Sequence, residues 1–357
     1  MELNIRQQNV VNSTEKNILC LAGPGAGKTH TLVARINKLL ENGVNPSKIV
    51  CFSFTNYAAD EMKNRLVSIG KDIYIGTIHS YANGICAKNG IKTSVDIAQE
   101  KFDEIIRKAS LINPKFYPQI EYLFVDEFQD INTLQYNFIR RLKAKNNYFC
   151  GDERQAIYSF IGSSDKYIFD MAADPTFKKF FLVDDYRNPA NVLDFANDFV
   201  SNIPKISPPS KSALKDATAY INSSCTFNTA IEEMTWTTNW KDWAVLCRTN
   251  KEIEAAADML QRSELPYIIV RKSDLDLCEF NKQLASNKIK IMTIHASKGN
   301  EFNHVVSIGA KTYAPEERRI AYVSASRAKQ SLYWCPSLKL KTKPKQTGSY
   351  SGQIITF

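Results

Sequence analysis

A glycine-rich stretch near the N-terminus, CLAGPGAGKTHTL, has the composition of a loop that binds phosphate. Three glycines alternate with other residues in it: Gly23, Gly25 and Gly27. Because glycine has no side chain, the backbone N–H groups of such a loop can surround phosphates at the positive end of the following helix. Lys28 would reach the β and γ phosphates, and Thr29 would hold Mg²⁺. The strict GxxxxGK[ST] pattern has Ala22 at its first position, but a predicted strand and helix flank the loop, so we predict a nucleotide-binding site.

Two adjacent acids supply the second requirement for nucleotide hydrolysis. The stretch YLFVDEFQD is an apolar strand that ends in Asp126 and Glu127, with Gln129 and Asp130 behind them. One carboxylate at the end of a strand can position Mg²⁺, and its neighbour can take a proton from the attacking water. Acids also end many buried strands without doing chemistry. Because a phosphate loop precedes these two, we favour hydrolysis over binding alone.

The elements that must position these groups alternate between short apolar runs and helical patterns. Runs such as NILCLAG, KIVCFSFT, YLFVDE and NYFCG are separated by helical segments, which predicts an α/β fold with parallel sheets covered by helices. A Pro-, Ser- and Asn-rich connection around residues 201–230 interrupts the alternation, and we expect it to have little core of its own. The alternation then returns in DWAVLCRTN and KIKIMTIH. We therefore predict two lobes, residues 1–183 and 184–357, the second ending in a basic tail after residue 336.

Composition and charge narrow the class of protein. The chain has 357 residues, 44% hydrophobic and 23% charged, which is typical of a globular protein. It contains no apolar run of about 18 residues, so we expect no membrane span, and its N-terminus does not resemble a secretory signal. Eight cysteines without a CxxC pair predict core thiols in a reducing, cytoplasmic compartment rather than a zinc or iron–sulfur site. The net charge of +9 suggests a polyanionic partner.

Ten short motifs, in order, resemble those of the UvrD/Rep/PcrA-like superfamily 1 DNA helicases. They are LNIRQ (3–7), AGPGAGKT (22–29), FTNYAADEM (54–62), GTIHS (76–80), VDEFQD (125–130), GDERQAIYSF (151–160), YRNPANVLDFAN (186–197), VLCRTN (245–250), TIHASKGNEF (293–302) and ERRIAYVSASRA (317–328). The resemblance implies two tandem RecA-like lobes with ATP and Mg²⁺ between them. It also implies single-stranded DNA and tailed duplex DNA as partners, and ATP-dependent translocation and unwinding in the 3′ to 5′ direction.

The resemblance assigns the nucleotide site residue by residue. Gln7 would contact the adenine, and Tyr186 would stack on it. His30 stands where an arginine beside the adenine is usual, so Tyr186 would carry more of the stacking. From the second lobe, Gly299 and Glu301 would contact the nucleotide, with Glu301 at the ribose. The loop residues assigned to the nucleotide are Ala22, Gly23, Pro24, Gly25, Ala26, Gly27, Lys28, Thr29 and His30.

The same resemblance assigns the chemistry of hydrolysis. Asp126 would hold Mg²⁺ with Thr29, Glu127 would activate water, and Gln155 would sense the γ-phosphate. Two residues across the cleft from Lys28 would act as arginine fingers, and hydrolysis should therefore require the lobes to close. These fingers would be Arg187 and Arg327. The alternative for an arginine in ERRIAYVSASRA is a place on a solvated helix face.

The phrase Thr-Ile-His occurs in GTIHS and again in MTIHAS, and the resemblance places both on single-stranded DNA. The two would be equivalent phosphate-gripping loops, one per lobe, that tighten alternately and so step along the strand. Alternatively, a histidine there only braces its turn. Aromatic residues nearby would stack on bases, although Tyr158 and Phe160 could instead be core. The DNA-binding residues implied are Phe54, Thr55, Asn56, Thr77, His79, Ser80, Tyr158, Phe160, Arg248, Thr293 and His295.

The chain departs from the family mainly in length. Only about 40 residues separate Ser80 from Glu121, and the stretch 265–289 is shorter still, whereas larger relatives insert accessory subdomains, 1B and 2B, at these two places. We therefore expect a nearly bare two-lobe motor. The alternative is an ATP-switched DNA-binding subunit of a larger repair, recombination or replication assembly, with little unwinding by itself and a protein partner that the sequence does not identify. RNA is a third and weaker alternative as substrate, because the family resemblance points to DNA and nothing in the sequence reports on the 2′-hydroxyl.

Overall fold

Two parallel sheets organise the chain. The computed structural model describes residues 2–66, 72–99, 101–215, 217–271 and 277–337. In these ranges no helix is both long enough and apolar enough to cross a membrane. The lysines of the predicted basic tail lie outside the described residues; they are Lys339, Lys341, Lys343 and Lys345.

The first sheet has the strand order β3-β2-β4-β5-β1-β6, and all of its pairings are parallel. Its strands are β1 (Asn17–Ala22), β2 (Ile49–Phe52), β3 (Tyr74–Gly76), β4 (Tyr122–Val125), β5 (Asn146–Gly151) and β6 (Lys178–Leu182). The helices of this lobe are α1 (Ile5–Val11), α2 (Lys28–Glu41), α3 (Asn56–Arg65), α4 (Ile78–Lys88), α5 (Ser94–Ala98), α6 (Phe102–Leu111), α7 (Thr133–Arg141) and α8 (Lys166–Ala173).

The core of this lobe covers both faces of the sheet. Successive side chains of a strand point to opposite faces. In β1, Leu19 and Leu21 accordingly join the cluster formed with α4, α6 and α7, whereas Ile18 and Cys20 join the cluster formed with α2 and α3. Because both faces are covered, these strands are continuous apolar runs, as the sequence indicated.

The second sheet has the order β11-β12-β10-β13-β14-β9, and its pairings are also parallel. Its strands are β9 (Tyr220–Asn222), β10 (Trp243–Cys247), β11 (Tyr267–Ile269), β12 (Ile289–Thr293), β13 (Phe302–Ile308) and β14 (Ala328–Cys335). The helices are α9 (Ala190–Phe199), α10 (Phe227–Thr235), α11 (Asn250–Arg262), α12 (Leu277–Ala285) and α13 (Pro315–Ala325). Two short strands, β7 (Asp184–Asp185) and β8 (Lys211–Ser212), pair with each other. In chain order they fall between the strands of the first sheet and those of the second. The domain boundary after residue 183 stays a prediction.

The Pro-, Ser- and Asn-rich connection packs against the second lobe. It was predicted to have little core of its own; its buried residues Ile203, Ala219 and Phe227 join the core clusters of the second lobe, and β9 within it forms an edge of the second sheet. Its backbone is held by Glu153, whose Oε1 accepts from the N–H of Ser207 at 2.8 Å. The apolar residues are single and widely spaced, so no helical or strand periodicity marks them in the sequence.

Candidate functional site

The glycine-rich loop joins the end of β1 to the start of α2. Gly25 and Gly27 have φ angles of 62° and 75°, in the left-handed region that glycine adopts without a steric cost. A β-carbon on Gly25 would lie 2.7 Å from that of Arg187, so only glycine permits this close approach. Lys28 Nζ donates to the carbonyl oxygen of Ala22 at 3.2 Å. The loop therefore combines an ammonium group, a helix N-terminus and the backbone freedom that phosphate binding requires.

A cleft of about 700 Å³ opens beside this loop, and both lobes line it. The structure brings together there the residues that the sequence analysis assigned to nucleotide, metal and hydrolysis, apart from Ala22. Ala22 is fully buried at the end of β1. The assigned residues that line the cleft are Gln7, Gly23, Pro24, Gly25, Ala26, Gly27, Lys28, Thr29, His30, Asp126, Glu127, Gln155, Tyr186, Arg187, Gly299, Glu301 and Arg327.

Thr29 and Asp126 face each other in this cleft. Thr29 Oγ1 donates to Asp126 Oδ2 at 3.2 Å. Burial, reinforced by the neighbouring charge of Glu127, raises the pKa of Asp126. A hydroxyl and a carboxylate suit Mg²⁺, whose coordination is usually completed by nucleotide phosphates and water. Within the described ranges no group of three or more His, Cys, Asp or Glu side chains could hold a metal ion.

Glu127 has an unusual backbone, with φ of 50°. Left-handed conformations are uncommon for residues that carry a β-carbon, and they concentrate at functional sites. Burial alone would raise the pKa of Glu127, but the charges of Lys298 and Lys28 and a hydrogen bond from Gln129 outweigh it and lower the pKa to about 2. The carboxylate is therefore ionised and able to accept a proton.

Lys298 is a candidate site residue that the sequence analysis did not assign. It lies in the turn after β12 and is 7% exposed. Its ammonium pairs with the carboxylate of Asp130, donates to the carbonyl oxygen of Gln155 at 2.9 Å and lies 3.6 Å from Glu127 Oε2. Burial would lower the pKa of Lys298, yet the two carboxylates outweigh burial and raise it. Its position inside the quoted motif TIHASKGNEF is the signal that could have identified it.

Two arginines reach the same cleft. Arg327 is 1% exposed, and its guanidinium donates to Gln155 Oε1 at 3.0 Å and to the carbonyl oxygen of Asn300 at 3.2 Å. Burial, together with the charge of Arg187, lowers the pKa of Arg327 to about 9. A solvated helix face is therefore excluded for Arg327. Arg187 Nε forms an ion pair of 2.6 Å with Glu301 Oε2.

Polar and aromatic groups around α1 complete the cleft. The side chain of Asn4 caps α1 by accepting from Gln7 N at 2.8 Å, and its Nδ2 donates to Tyr186 Oη at 2.7 Å. Gln7 Nε2 donates to the carbonyl oxygen of Ala26 at 3.2 Å. His30 Nε2 is buried and has no hydrogen-bond partner among the residues that the structure describes. This set offers both hydrogen-bonding groups and a ring to a planar base.

An aromatic cluster lies where the lobes meet. The rings of Phe54 and Tyr158 stack with their centroids 5.0 Å apart, and Tyr158 Oη donates to the carbonyl oxygen of His295 at 3.2 Å. Lys298 Nζ lies 5.2 Å from the centroid of the Tyr158 ring. Phe160 is 68% exposed and meets the ring of His295 edge-on at 5.2 Å. The exposure of Phe160 argues against a core role, whereas Tyr158 packs partly against the core of the second lobe.

The two Thr-Ile-His phrases do not occupy equivalent places. The first follows β3, which is the edge strand of its sheet, whereas the second follows β12, which has β11 between it and the edge. Thr77 Oγ1 caps α4 by accepting from Ser80 N at 3.2 Å, and Thr293 Oγ1 accepts from Ala296 N at 3.1 Å. The predicted equivalence of the two loops is therefore wrong, because the two lobes connect their strands in different orders.

The two histidines also differ in their surroundings. His79 lies in the first turn of α4, with Nε2 3.4 Å from Asp103 Oδ1. His295 Nε2 lies 3.1 Å from the carbonyl oxygen of Ile157 in the first lobe. Burial, together with the charge of Arg248, lowers the pKa of His295. His295 therefore bridges the lobes as a neutral ring, while His79 lies beside an acid and lines another cavity, of about 480 Å³.

The remaining residues assigned to DNA lie after the ends of parallel strands. Thr55 follows β2 and caps α3 by accepting from Ala58 N at 3.2 Å, and Asn56 is the first residue of that helix. Arg248 follows β10 and forms a two-point ion pair with Glu317, at 2.7 and 3.0 Å. Because the carboxyl ends of parallel strands meet at one edge of a sheet, Thr55 and Asn56 lie at that edge of the first sheet, and Arg248 lies at the corresponding edge of the second.

The fold and the cleft define a class: α/β proteins with two RecA-like lobes and a phosphate loop at the cleft between them. Comparison with known proteins gives the family. The profile of the UvrD/REP helicase N-terminal domain matches residues 3–111 and 95–176, and that of the UvrD-like helicase C-terminal domain matches residues 273–337. The chain belongs to the UvrD-like helicases of superfamily 1.

Curated relatives agree with this family. The ATP-dependent DNA helicase PcrA of Leuconostoc citreum is 25% identical over 388 residues, which include 78% of this chain and 52% of that protein. A probable DNA helicase of Mycoplasma pneumoniae is 24% identical, with 93% of this chain and 82% of that protein covered. PcrA of Staphylococcus aureus is 23% identical, with 80% and 54% covered. The chain thus spans about half the length of its PcrA relatives.

Proposed function

We propose that this chain is an ATP-dependent single-stranded DNA translocase and DNA helicase that moves in the 3′ to 5′ direction. The observation that carries the proposal is the set of contacts across the cleft. Lys298 and Arg327 of the second lobe contact Asp130 and Gln155 of the first, beside the phosphate loop. A change of the nucleotide in this cleft would therefore alter how the lobes meet, and so how they hold a strand.

ATP would be the nucleotide, with Mg²⁺ as its metal. Gln7 and Tyr186 would bind the adenine, and Lys28 with the loop N–H groups would bind the phosphates. Thr29 and Asp126 would hold Mg²⁺, which supplies positive charge against the phosphate oxygens when bound. The support is the 3.2 Å contact of these two side chains in a site where burial disfavours an uncompensated carboxylate.

Glu127 would take the proton of the attacking water, because its carboxylate is ionised and lines the same cleft. Gln155 would lie near the γ-phosphate. Arg187 and Arg327 would stabilise the charge that develops in the transition state, a role worth roughly 10³–10⁵ in rate in other enzymes. Glu301 would accept a hydrogen bond from a ribose hydroxyl. Its ion pair with Arg187 would then rearrange as the nucleotide binds.

Single-stranded DNA would lie along the edge formed by the strand ends of both lobes. Thr55, Thr77 and Thr293 would donate to phosphates, and Phe160 would stack on a base, a contact worth about 1–3 kcal/mol. The remaining proposed contacts are Phe54, Asn56, His79, Ser80, Tyr158, Arg248 and His295. The exposed ring of Phe160 beside His295 is the main support. This activity would also place the protein inside the cell, with DNA and ATP.

The short insertions favour a second candidate function. The match to PcrA of Leuconostoc citreum extends over 388 residues, more than the whole chain contains, so that relative carries segments that this chain lacks. The alternative is an ATP-switched DNA-binding subunit whose hydrolysis resets a grip, with unwinding of tailed duplexes supplied by a partner. Both candidates require ATPase activity; they differ in directional movement.

ATPase activity with and without single-stranded DNA tests the shared part of the proposal. We expect DNA to stimulate the wild-type protein, and Glu127→Gln to lower the stimulated rate by at least about 100-fold while nucleotide still binds. Glu41→Gln, at the exposed end of α2, is the matched control and should keep the wild-type rate. Equal hydrolysis by Glu127→Gln and wild type would exclude Glu127 as the base.

A further inference from the structure

Two cysteines lie against each other in the second lobe, outside the cleft and the aromatic cluster. Cys225 and Cys335 are 110 residues apart in sequence, yet their Sγ atoms are 2.9 Å apart. Both are free thiols in this structure. The sulfur atoms of a disulfide are about 2.0 Å apart, so a small side-chain movement would bring these two to bonding distance.

The fold brings these two cysteines together through the edge of the sheet. β9 pairs with β14 in a register that sets Asn222 beside Tyr333, shortly before the two cysteines. Cys335 ends β14, and Cys225 immediately precedes Thr226, the N-cap of α10. The two side chains are buried, but Ser224, Thr226 and Pro336 beside them are exposed, so a local opening at the ends of these elements would admit a small reagent.

The two thiols are chemically unequal. The contact between the two sulfurs lowers the pKa of Cys225, and the same contact, together with burial, raises the pKa of Cys335. The thiolate is the nucleophile in thiol–disulfide exchange. Cys225 is also the more accessible of the two, with 6% of its surface exposed against 1% for Cys335, so Cys225 is the sulfur that a reagent meets first and Cys335 the one that resolves the intermediate.

We propose that Cys225 and Cys335 form a reversible disulfide when the protein meets a low-molecular-weight disulfide, such as oxidised glutathione. The Cys225 thiolate attacks one sulfur of that reagent, breaks its S–S bond, and releases one small thiolate that takes up a proton. The Cys335 thiol then loses its proton, attacks Cys225 Sγ and displaces the second small thiolate. The protein loses two hydrogens, and the oxidant becomes two thiols.

This disulfide would lock the outer edge of the second lobe. It would tie the segment between β9 and α10 to the end of β14, closing a long loop that includes most of the second sheet. Closing a long loop restricts the unfolded chain, so the oxidised form should resist heating. Arg327 lies at the opposite end of β14, so the cleft should be unaffected. The inference does not depend on the proposed helicase activity.

The test is incubation of the whole chain with oxidised glutathione, followed by mass spectrometry of the intact protein and of its peptides. We expect a product that has lost two hydrogens, a cross-linked peptide pair containing Cys225 and Cys335, and a thermal midpoint raised by several degrees, all reversed by dithiothreitol. Cys225→Ser and Cys335→Ala should each abolish the cross-link and the shift. Cys278→Ser, at an exposed cysteine of α12, should keep both.

Three results would overturn the proposal. The first is a glutathione adduct on Cys278 as the sole modification, and the second is a cross-link that does not contain both Cys225 and Cys335. The third is a rise of the thermal midpoint on oxidation that persists in both Cys225→Ser and Cys335→Ala. Far-ultraviolet circular dichroism of the reduced wild type and variants would show whether the variants fold. It therefore distinguishes a cross-link that is missing because a thiol was removed from one that is missing because the variant is unfolded. If Cys225→Ser fails to fold, Cys335→Ala still decides the outcome, and the wild-type peptide map decides it independently.

Discussion

Lys298 links the two lobes at the scale of a single residue. Its ammonium balances the buried carboxylate of Asp130 and lies close to Glu127, and it also faces the ring of Tyr158. One buried charge thus touches the proposed water-activating group and the proposed base-stacking ring. Removing one partner of a buried ion pair is strongly unfavourable, because the other charge stays buried.

Lys298→Met should therefore change the pH dependence of ATP hydrolysis. In the wild-type protein Lys298 helps to hold the pKa of Glu127 near 2, below the ordinary 4.5, so Glu127 stays ionised until the pH falls towards 2. Without that charge, Lys28 and the hydrogen bond from Gln129 still oppose the effect of burial, but the pKa of Glu127 should rise from about 2, and the acid limb of the profile should move upward with it. The stimulated rate at neutral pH should fall about tenfold or more.

A pH profile of stimulated ATPase activity measures this effect. Lys251→Met, at an exposed lysine of α11, is the matched control and should keep the wild-type profile. A profile for Lys298→Met that keeps the wild-type acid limb, in a folded protein, would show that Lys298 does not control Glu127.

The approach of Arg187 to the phosphate loop gives a second prediction at this scale. Gly25→Ala would put a β-carbon 2.2 Å from Asp185 Oδ1, at a φ of 62° that alanine rarely adopts. We expect nucleotide affinity to fall by more than about tenfold. Gly84→Ala is the matched control: Gly84 lies exposed inside α4 with open space around it, so alanine should stabilise the fold by about 0.5–1 kcal/mol. Equal nucleotide binding by Gly25→Ala, measured by calorimetry, would contradict this account of the loop.

At the scale of elements, the polar residues at strand ends have two roles at once. Thr55 and Thr77 cap the helices that follow their strands, and both are also proposed DNA contacts. The cap fixes the hydroxyl, so the helix start sets where the proposed phosphate contact lies. An N-cap is worth about 1 kcal/mol to the helix, and its loss would be confused with lost DNA binding unless the two roles are separated.

Substitutions of Thr77 separate these roles. Thr77→Asp keeps a capping oxygen but adds a negative charge near the proposed phosphate, so stability should stay near wild type while DNA affinity falls at least about tenfold. Thr77→Ala should lower both. Thr226, the N-cap of α10, is the control because it lies away from the proposed DNA path. Thr226→Asp and Thr226→Ala make the same changes to a cap, and DNA affinity should stay at the wild-type value in both. Chemical denaturation and fluorescence anisotropy with labelled single-stranded DNA measure the two effects; unchanged affinity of Thr77→Asp would remove Thr77 from the interface.

Elements with local signals could be predicted from the sequence. The strand, loop and helix around Lys28 are marked by an apolar run, glycines and a helical period, all within 25 residues. Features that join distant residues could not be predicted. The pairing of Lys298 with Asp130 crosses 168 positions, and the core of the connection at residues 201–230 rests on single apolar residues. The sheet order that makes the two Thr-Ile-His loops unequal also depends on long-range pairing.

At the scale of the whole molecule, the two lobes are joined by contacts on both sides of the aromatic cluster. Arg319 pairs with Asp165, and the side chain of Glu316 accepts from Ser159 N at 3.1 Å. On the cleft side, Arg327 and Lys298 make the contacts described above. These contacts connect the nucleotide cleft with the proposed DNA-binding side of the two lobes. This coupling is what the proposed motor requires, because a strand advances only if grip and nucleotide state change together.

Displacement of streptavidin from biotinylated single-stranded DNA tests this central claim most directly. With ATP and Mg²⁺, we predict rapid displacement from the 5′ end and little from the 3′ end, because a motor moving 3′ to 5′ pushes off only what lies at the 5′ end. Glu127→Gln should displace neither. DNA-stimulated ATP hydrolysis by the wild-type protein without displacement from either end would contradict translocation and leave the ATP-switched DNA-binding subunit as the function.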